Sequence, residues 1–316
     1  MRARAPASSA NLGPGFDALA VALDCYVQVE VEAAPSLRVH SEGEGAGLCD
    51  DASHLAVRVA RSILGHDRIA VTVRSQIPVS RGLGSSAALA AAAAAAAGAD
   101  DPFAIAAAQD GHPENAAASV FGGLVAATAV DGQVRSAQLP LSDELAFVVV
   151  VPDRSLVTAE ARAVLPDTLA RADALFNLGR MGLLLAGMAA PSLLIAAATG
   201  DRLHQDARAR LFPEAPALLE ALVDCGALAS CWSGAGPSLL GLTVESAAEK
   251  VCAGARDALE ASGLSGQVML LHSDRQGLTY GDAAELPGAR SRPVRDHSPG
   301  RRSSDGPPRD GGVLRK

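Results

Sequence analysis

Four loops and two short basic segments carry the residue types that could move a phosphoryl group onto a small polar molecule. The first loop is Pro78-Val79-Ser80-Arg81-Gly82-Leu83-Gly84-Ser85-Ser86-Ala87-Ala88, which runs into an alanine tract. A glycine-rich loop opening onto a helix start offers unpaired backbone N–H groups and a partial positive charge. Its glycines lack the Cβ atoms that would hold a phosphate away. Ser85 and Ser86 are expected to cap the helix and to offer hydroxyls to phosphate or magnesium. The chain has only two lysines, Lys250 and Lys316, so a G-x-x-x-x-G-K-[ST] loop is excluded and backbone dipoles must do the holding.

Three further loops supply polar groups. Pro6 to Asp17 reads as a loop that places the Asn11 amide six residues from the Asp17 carboxylate. Gln109-Asp110-Gly111-His112-Pro113-Glu114-Asn115 combines an amide, an imidazole and carboxylates, and Ser233-Gly234-Ala235-Gly236-Pro237-Ser238 forms a late glycine turn. The carboxylate of a zwitterionic substrate is best held by guanidinium forks, and Arg162 and Arg208 sit on candidate helices where they could converge. Its ammonium needs an acid, for which Asp17 is available. Its hydroxyl must be aimed at a γ-phosphate, a task suited to Asn11 and Asn115 with His112 near them.

The elements around these residues alternate between strand and helix. Cys25–Glu32 and Ile69–Ile77 have the period-2 pattern of half-buried strands, and Ala146–Val151 is an apolar run ended by Pro152. Ser53–Leu64 has helical spacing stopped by Gly65. A domain boundary is expected near residue 150, giving an N-terminal domain over 1–150 and a second domain over 151–286. The second contains helices over 158–164, 168–189, 193–199, 215–225 and 245–262, strands flanking 234–237, and a last strand over 267–272. Residues 287–316 are rich in Pro, Gly, Ser, Arg and Asp and read as a disordered tail.

Composition sets limits. The 316 residues are 49% hydrophobic but only 3% aromatic, so the packing must rely on small side chains in close approach. A net charge of −8 and a pI near 5.4 argue against nucleic acid or an anionic membrane as partner. The five cysteines show no C-x-x-C spacing, which fits a reduced cytoplasmic protein without a zinc site. Met1-Arg2-Ala3-Arg4 leads into polar loop residues instead of an apolar signal core. The apolar stretch 181–199 is broken by Gly187 and Ala190-Pro191-Ser192, and reads as two packed helices, not a membrane span.

Together these loops resemble the GHMP kinases, a superfamily that carries three such motifs in this order. Pro6–Asp17, the Gly-His-Pro-Glu-Asn box, Thr158–Pro166 and Leu203–Pro213 are similar to the homoserine kinases within that group. The resemblance implies an α+β, two-domain fold: an N-terminal domain with a left-handed βαβ unit and a C-terminal ferredoxin-like domain, with ATP and substrate meeting in the cleft. It implies transfer of the γ-phosphate of ATP to the side-chain hydroxyl of L-homoserine, giving O-phosphohomoserine on the path to threonine. It assigns ATP to Pro78, Arg81, Gly82, Leu83, Gly84, Ser85, Ser86, Ala87 and Ala88, and homoserine to Asn11, Asp17, His112, Asn115, Thr158, Arg162, Arg208 and Gly234. Mg2+ falls to Ser86 and Asp110, where the family commonly has Glu at the second position; Glu114 likewise stands where Asp is usual. Asn11, Asn115, Ser86 and Asp110 form the expected catalytic set. Homodimers are common in the family, and the sequence neither requires nor forbids one. Alternative readings are another small-molecule kinase of the superfamily, a catalytically weak nucleotide-binding homologue, and a serine hydrolase, the last without its G-x-S-x-G elbow.

Overall fold

The alanine tract becomes the centre of the molecule. In the computed structural model, which describes residues 1–287 apart from the side chains of Asp110 and Asp282, the tract lies on a helix that is buried on every side. A helix apolar all round has to be enclosed by other elements. The chain begins with β1 (Arg2–Ala10), β2 (Leu19–Ala33) and β3 (Arg38–Gly43), then α1 (Leu55–Leu64), β4 (Ile69–Ser75) and the central helix α2 (Ser85–Ala96). There follow α3 (Pro102–Asp110), α4 (Pro113–Phe121) and the hairpin of β5 (Leu124–Val130) and β6 (Gln133–Leu139). Helix α2 packs on β1, β2, α1, α3 and α4. Ala3, Ala5 and Ala7 of β1 join its alanines in one core cluster, and small side chains there let the backbones approach closely.

A second sheet starts at β7 (Leu145–Pro152). It continues through α5 (Thr158–Ala163), α6 (Arg171–Ala189), α7 (Gln205–Arg208), α8 (Ala215–Asp224), β8 (Ala229–Trp232), β9 (Leu239–Val244), α9 (Glu245–Ala261) and β10 (Gly266–His272). The short β11 (Thr279–Tyr280) returns to pair with β1. The first sheet runs β11-β1-β2-β4-β3, with β5 and β6 extending it from β2. Its parallel pair, β3 and β4, is joined through α1, which is a βαβ unit. The second sheet runs β10-β7-β9-β8, all antiparallel. With α8 between β7 and β8 and α9 between β9 and β10, this is the β-α-β-β-α-β order of a ferredoxin-like fold.

Several sequence expectations change here. Residues 6–10, read as loop, are the second half of β1, where a register shift between Pro6 and Ala7 accommodates the proline. Residues 193–199, read as a helix, form two 3-10 turns, Pro191–Leu193 and Ala196–Thr199, because Ala190, Leu194 and Ile195 are extended. The β5–β6 hairpin was not anticipated. Helix α1 starts at Leu55, with His54 as N-cap and Gly65 closing it in the left-handed conformation. No described helix is long and apolar enough to cross a membrane. The tail expected over 287–316 lies, from residue 288 on, outside the described residues.

Candidate active site

The glycine loop is fastened through its carbonyls. The carbonyl of Leu83 accepts from Ser8 N (3.1 Å), that of Gly82 from Ser233 Oγ (2.7 Å), and that of Arg81 from Ser238 N (3.3 Å). Gly84, at φ +62°, is the N-cap of α2 and makes no side-chain cap bond; the expected serine cap is absent, since Ser85 and Ser86 are the first two helical residues. The first intrahelical bond is from Ala88 N to Gly84 O, so the N–H groups of Ser85, Ser86 and Ala87 precede the ladder. No acidic side chain occupies that first turn. Carbonyls tied back and amides left over make an anion cradle.

A cavity of about 560 Å³ opens on this loop. It is lined by Arg81–Ser86 and, on one side, by Asn11, Asp17, His112, Glu114, Asn115, Thr158, Arg162, Arg208 and Gly234. Pro78, Ala87 and Ala88 do not line it and are buried behind the loop. Asp110 ends α3, and its side chain lies outside the described residues. Arg81 folds onto its own loop, donating to Val79 O and Ser80 O (3.3 and 3.4 Å).

Asn11 sits at φ +72° with both ends of its amide engaged: Nδ2 donates to Gly234 O (2.9 Å) and Oδ1 accepts from Asp17 N (3.0 Å). It fixes the turn that follows β1. Asn115 Oδ1 accepts from Ser8 Oγ (2.9 Å), and its Nδ2 makes only a 3.5 Å contact with Glu114 Oε1. Asp17 and Arg162, expected to receive opposite ends of the substrate, bind each other through two hydrogen bonds of 2.7 and 3.1 Å. Arg162 Nη2 also lies 3.3 Å from His112 Nδ1. Arg208 is 2% exposed, donates through Nη1 to Gly234 O (2.9 Å), and directs Nε toward Ala161 O (3.3 Å). Burial, and then the like charge of Arg162, lower its pKa to about 10, which leaves it charged at neutral pH. Phe16 lies beneath both guanidiniums, with its ring centre 5.3 Å from Arg208 Cζ and 5.7 Å from Arg162 Cζ.

Glu114, doubted in the sequence because Asp is usual there, is 1% exposed and has an Oε2 atom without any hydrogen-bond partner among the described residues. Its Oε1 is 3.4 Å from His112 Nδ1, and Asp17, His112 and Glu114 present ligand atoms within 4.8 Å of one another. The opposite side of the cavity went unread: Ser41, Glu44, Leu48, Cys49, Ser53, His54 and Leu55 line it with Val73, Val79 and Leu89. The signal was present in Gly43, Gly45 and Gly47, spaced every second residue and all at positive φ, which turn the chain after β3 over the loop.

A phosphate cradle between a βαβ-containing sheet and a ferredoxin-like sheet defines a GHMP kinase, and two family descriptions agree: "GHMP kinases N terminal domain" over 54–123 and "GHMP kinases C terminal" over 174–261. Within that superfamily the chain belongs to the homoserine kinases. It is 42% identical over 266 residues to the homoserine kinase of Mycolicibacterium smegmatis, covering 76% of this chain and 84% of the relative. It is 35% identical over 295 residues to that of Desulfitobacterium hafniense, covering 88% and 98%. The crystal structure of homoserine kinase from Cytophaga hutchinsonii superposes with a TM-score of 0.77 at 27% identity, covering 88% of this chain and 96% of that one.

Proposed function

We propose that the protein transfers the γ-phosphate of ATP to the side-chain hydroxyl of L-homoserine, giving O-phosphohomoserine for threonine biosynthesis. The observation that carries this reading is one cavity joining a lysine-free phosphate cradle to paired arginines, Arg162 and Arg208, and paired acids, Asp17 and Glu114. A zwitterion with a short hydroxylated side chain matches that charge pattern. A division near residue 150 follows the same logic, with β7 (Leu145–Pro152) opening the second sheet and β11 (Thr279–Tyr280) returning to the first: the nucleotide loop lies before it, the arginines after it, and each family match falls on one side.

Arg208 and Arg162 receive the carboxylate, with Thr158 at the start of α5 beside them. Asp17 and Glu114 receive the ammonium, and the Asn115 amide orients the hydroxyl. Asn11 acts by holding Asp17 and Gly234 in place. Leu83, Gly84, Ser85, Ser86 and the start of α2 stabilise the charge that develops on the phosphoryl oxygens. Attack is in line, no covalent phospho-enzyme forms, and the proton leaves late, to phosphate or water. Holding the two reactants in register supplies roughly 7–11 kcal/mol of barrier lowering.

The family also implies magnesium, and the cavity holds hard oxygen donors that fit it, the hydroxyls of Ser85 and Ser86. Ser86 and Asp110 would hold the ion. When bound, it would supply positive charge against the negative charge of the phosphates. Five free cysteines fit a cytoplasmic setting.

A coupled ADP-release assay with homoserine, mevalonate and galactose tests the proposal. Turnover confined to homoserine is expected. Turnover of mevalonate or galactose instead would assign another kinase of the superfamily, and ATP binding without ADP release would leave a binding homologue.

A further inference from the structure

His204 lies outside the residues expected to touch the substrate, yet it meets one of them, Arg208, and the turn that leads to another, Asp17. Its side chain is fully buried. Nδ1 lies 3.0 Å from Arg208 Nη1, and Nε2 lies 2.9 Å from the carbonyl of Gly13. A guanidinium can only donate and a carbonyl can only accept. The ring must therefore accept at Nδ1 and carry its proton on Nε2, in one tautomer. Its face stacks on Phe16, with centroids 5.0 Å apart and planes inclined by 25°.

The ring is fixed from behind. Asp201 accepts from the backbone N–H groups of Leu203, His204 and Gln205 (3.0, 2.8 and 2.8 Å) and from Asn177 Nδ2 (2.7 Å), which sets the start of α7. Gly13 is locked as well, since a Cβ on it would lie 2.2 Å from Thr199 O at φ +78°. Arg208 Nη1 and Nε are occupied by His204, Gly234 and Ala161. Among the described residues no hydrogen bond is made by Nη2, the part of that guanidinium left for a ligand.

We infer that His204 is a positioning residue for the amino-acid substrate, its Nε2-protonated imidazole tying Arg208 to the Gly13–Asp17 turn so that the carboxylate and ammonium subsites are held at a fixed separation. This rests on the homoserine kinase reading, because it presumes that Arg208 and Asp17 grip opposite ends of the same small molecule. The nucleotide cradle is fastened by other groups, Ser8, Ser233 and Ser238.

The test pairs kinetics with isosteres. In His204→Ala the KM for homoserine rises about tenfold or more, the loss expected when a charge-assisted hydrogen bond no longer fixes a buried arginine, while the KM for ATP stays within about twofold. His204→Asn places an acceptor near the Nδ1 position and restores the homoserine KM more fully than His204→Gln, which places its donor near Nε2. A lowered Tm with both KM values unchanged, or equal effects of Asn and Gln, overturns the inference. Nitrogen-15 NMR of the wild type gives an independent reading: the neutral Nε2–H tautomer is expected, and an Nδ1–H tautomer refutes the tie even if every variant fails to fold. Were the wild type inactive on homoserine, the functional reading would fall, while the tautomer would still decide whether the imidazole links the two elements.

Discussion

Asp17 and Arg162, 145 residues apart in the chain, hold each other in a two-bond ion pair at the mouth of the cavity, each about 40% exposed. A half-solvated pair of this kind contributes at most ~1 kcal/mol. Exchanging it for a substrate that brings its own carboxylate and ammonium therefore costs little. The two side chains hold each other extended at the cavity through those two bonds. In Arg162→Ala the homoserine KM should rise about 10- to 100-fold, with the ATP KM within about twofold. Steady-state kinetics in both substrates checks this, and equal changes in the two constants would remove Arg162 from the carboxylate subsite.

Gly84 is the second point of attack. A Cβ there would stand 2.0 Å from Ser8 Oγ and 3.1 Å from Asn115 Oδ1, at φ +62°. Gly84→Ala is expected to destabilise the fold by ~1–3 kcal/mol and to weaken ATP binding more than homoserine binding. Calorimetric titration with ATP, beside a denaturation curve, separates the two effects.

Glu114→Gln keeps the shape of the buried side chain and removes its charge. If Glu114 receives the ammonium together with Asp17, the homoserine KM rises about tenfold and the magnesium dependence of the rate is unchanged. A shift in magnesium dependence at constant homoserine KM would instead make Glu114 a metal ligand.

Acid should unfold the protein in two stages. Burial pushes the pKa of His204 from 6.5 down to about 4, against the nearby Asp201 charge. Between those values the unfolded chain binds a proton that the native ring refuses. Stability is thus greatest above pH 6.5 and falls by ~3 kcal/mol as pH drops to 4, after which this group contributes no further loss. Burial alone would raise the Asp201 carboxyl, but the neighbouring His204 and its N–H donors outweigh that and hold it below 3.8, so its loss begins only at more acid pH. Urea denaturation at pH 7.0, 5.0 and 4.0 reads the first stage. A flat profile in the wild type, or an unchanged slope in His204→Asn, would contradict it.

The parts of the fold legible in the sequence are those whose pattern reports one neighbour at a time. The valines of β2 and β4 and the run in β7 announce strands because β-branched side chains alternate or cluster there. Strand β1 was half concealed, since Arg2-Ala3-Arg4-Ala5-Pro6-Ala7-Ser8-Ser9-Ala10 has weak strand propensity and is a strand only because small residues fit against the alanine helix. The phosphate loop was legible through its glycines. Its fastening was not, because Ser8, Ser233 and Ser238 reach it from distant parts of the chain. His204 was visible within a motif, but its two partners were not. Spacing of i, i+4 pointed to Arg208, and nothing local pointed to Gly13.

The wedged glycines carry a mechanical consequence. Gly82 lies so close to the Ser233 carbonyl that a methyl group would intrude to 2.2 Å, while its neighbour Leu83 is bonded to Ser8 of β1. The loop is thus a rivet through both sheets. Parting the sheets at this point would break those bonds, and Leu48, Cys49, Thr158 and Ala159 line the cavity beside them.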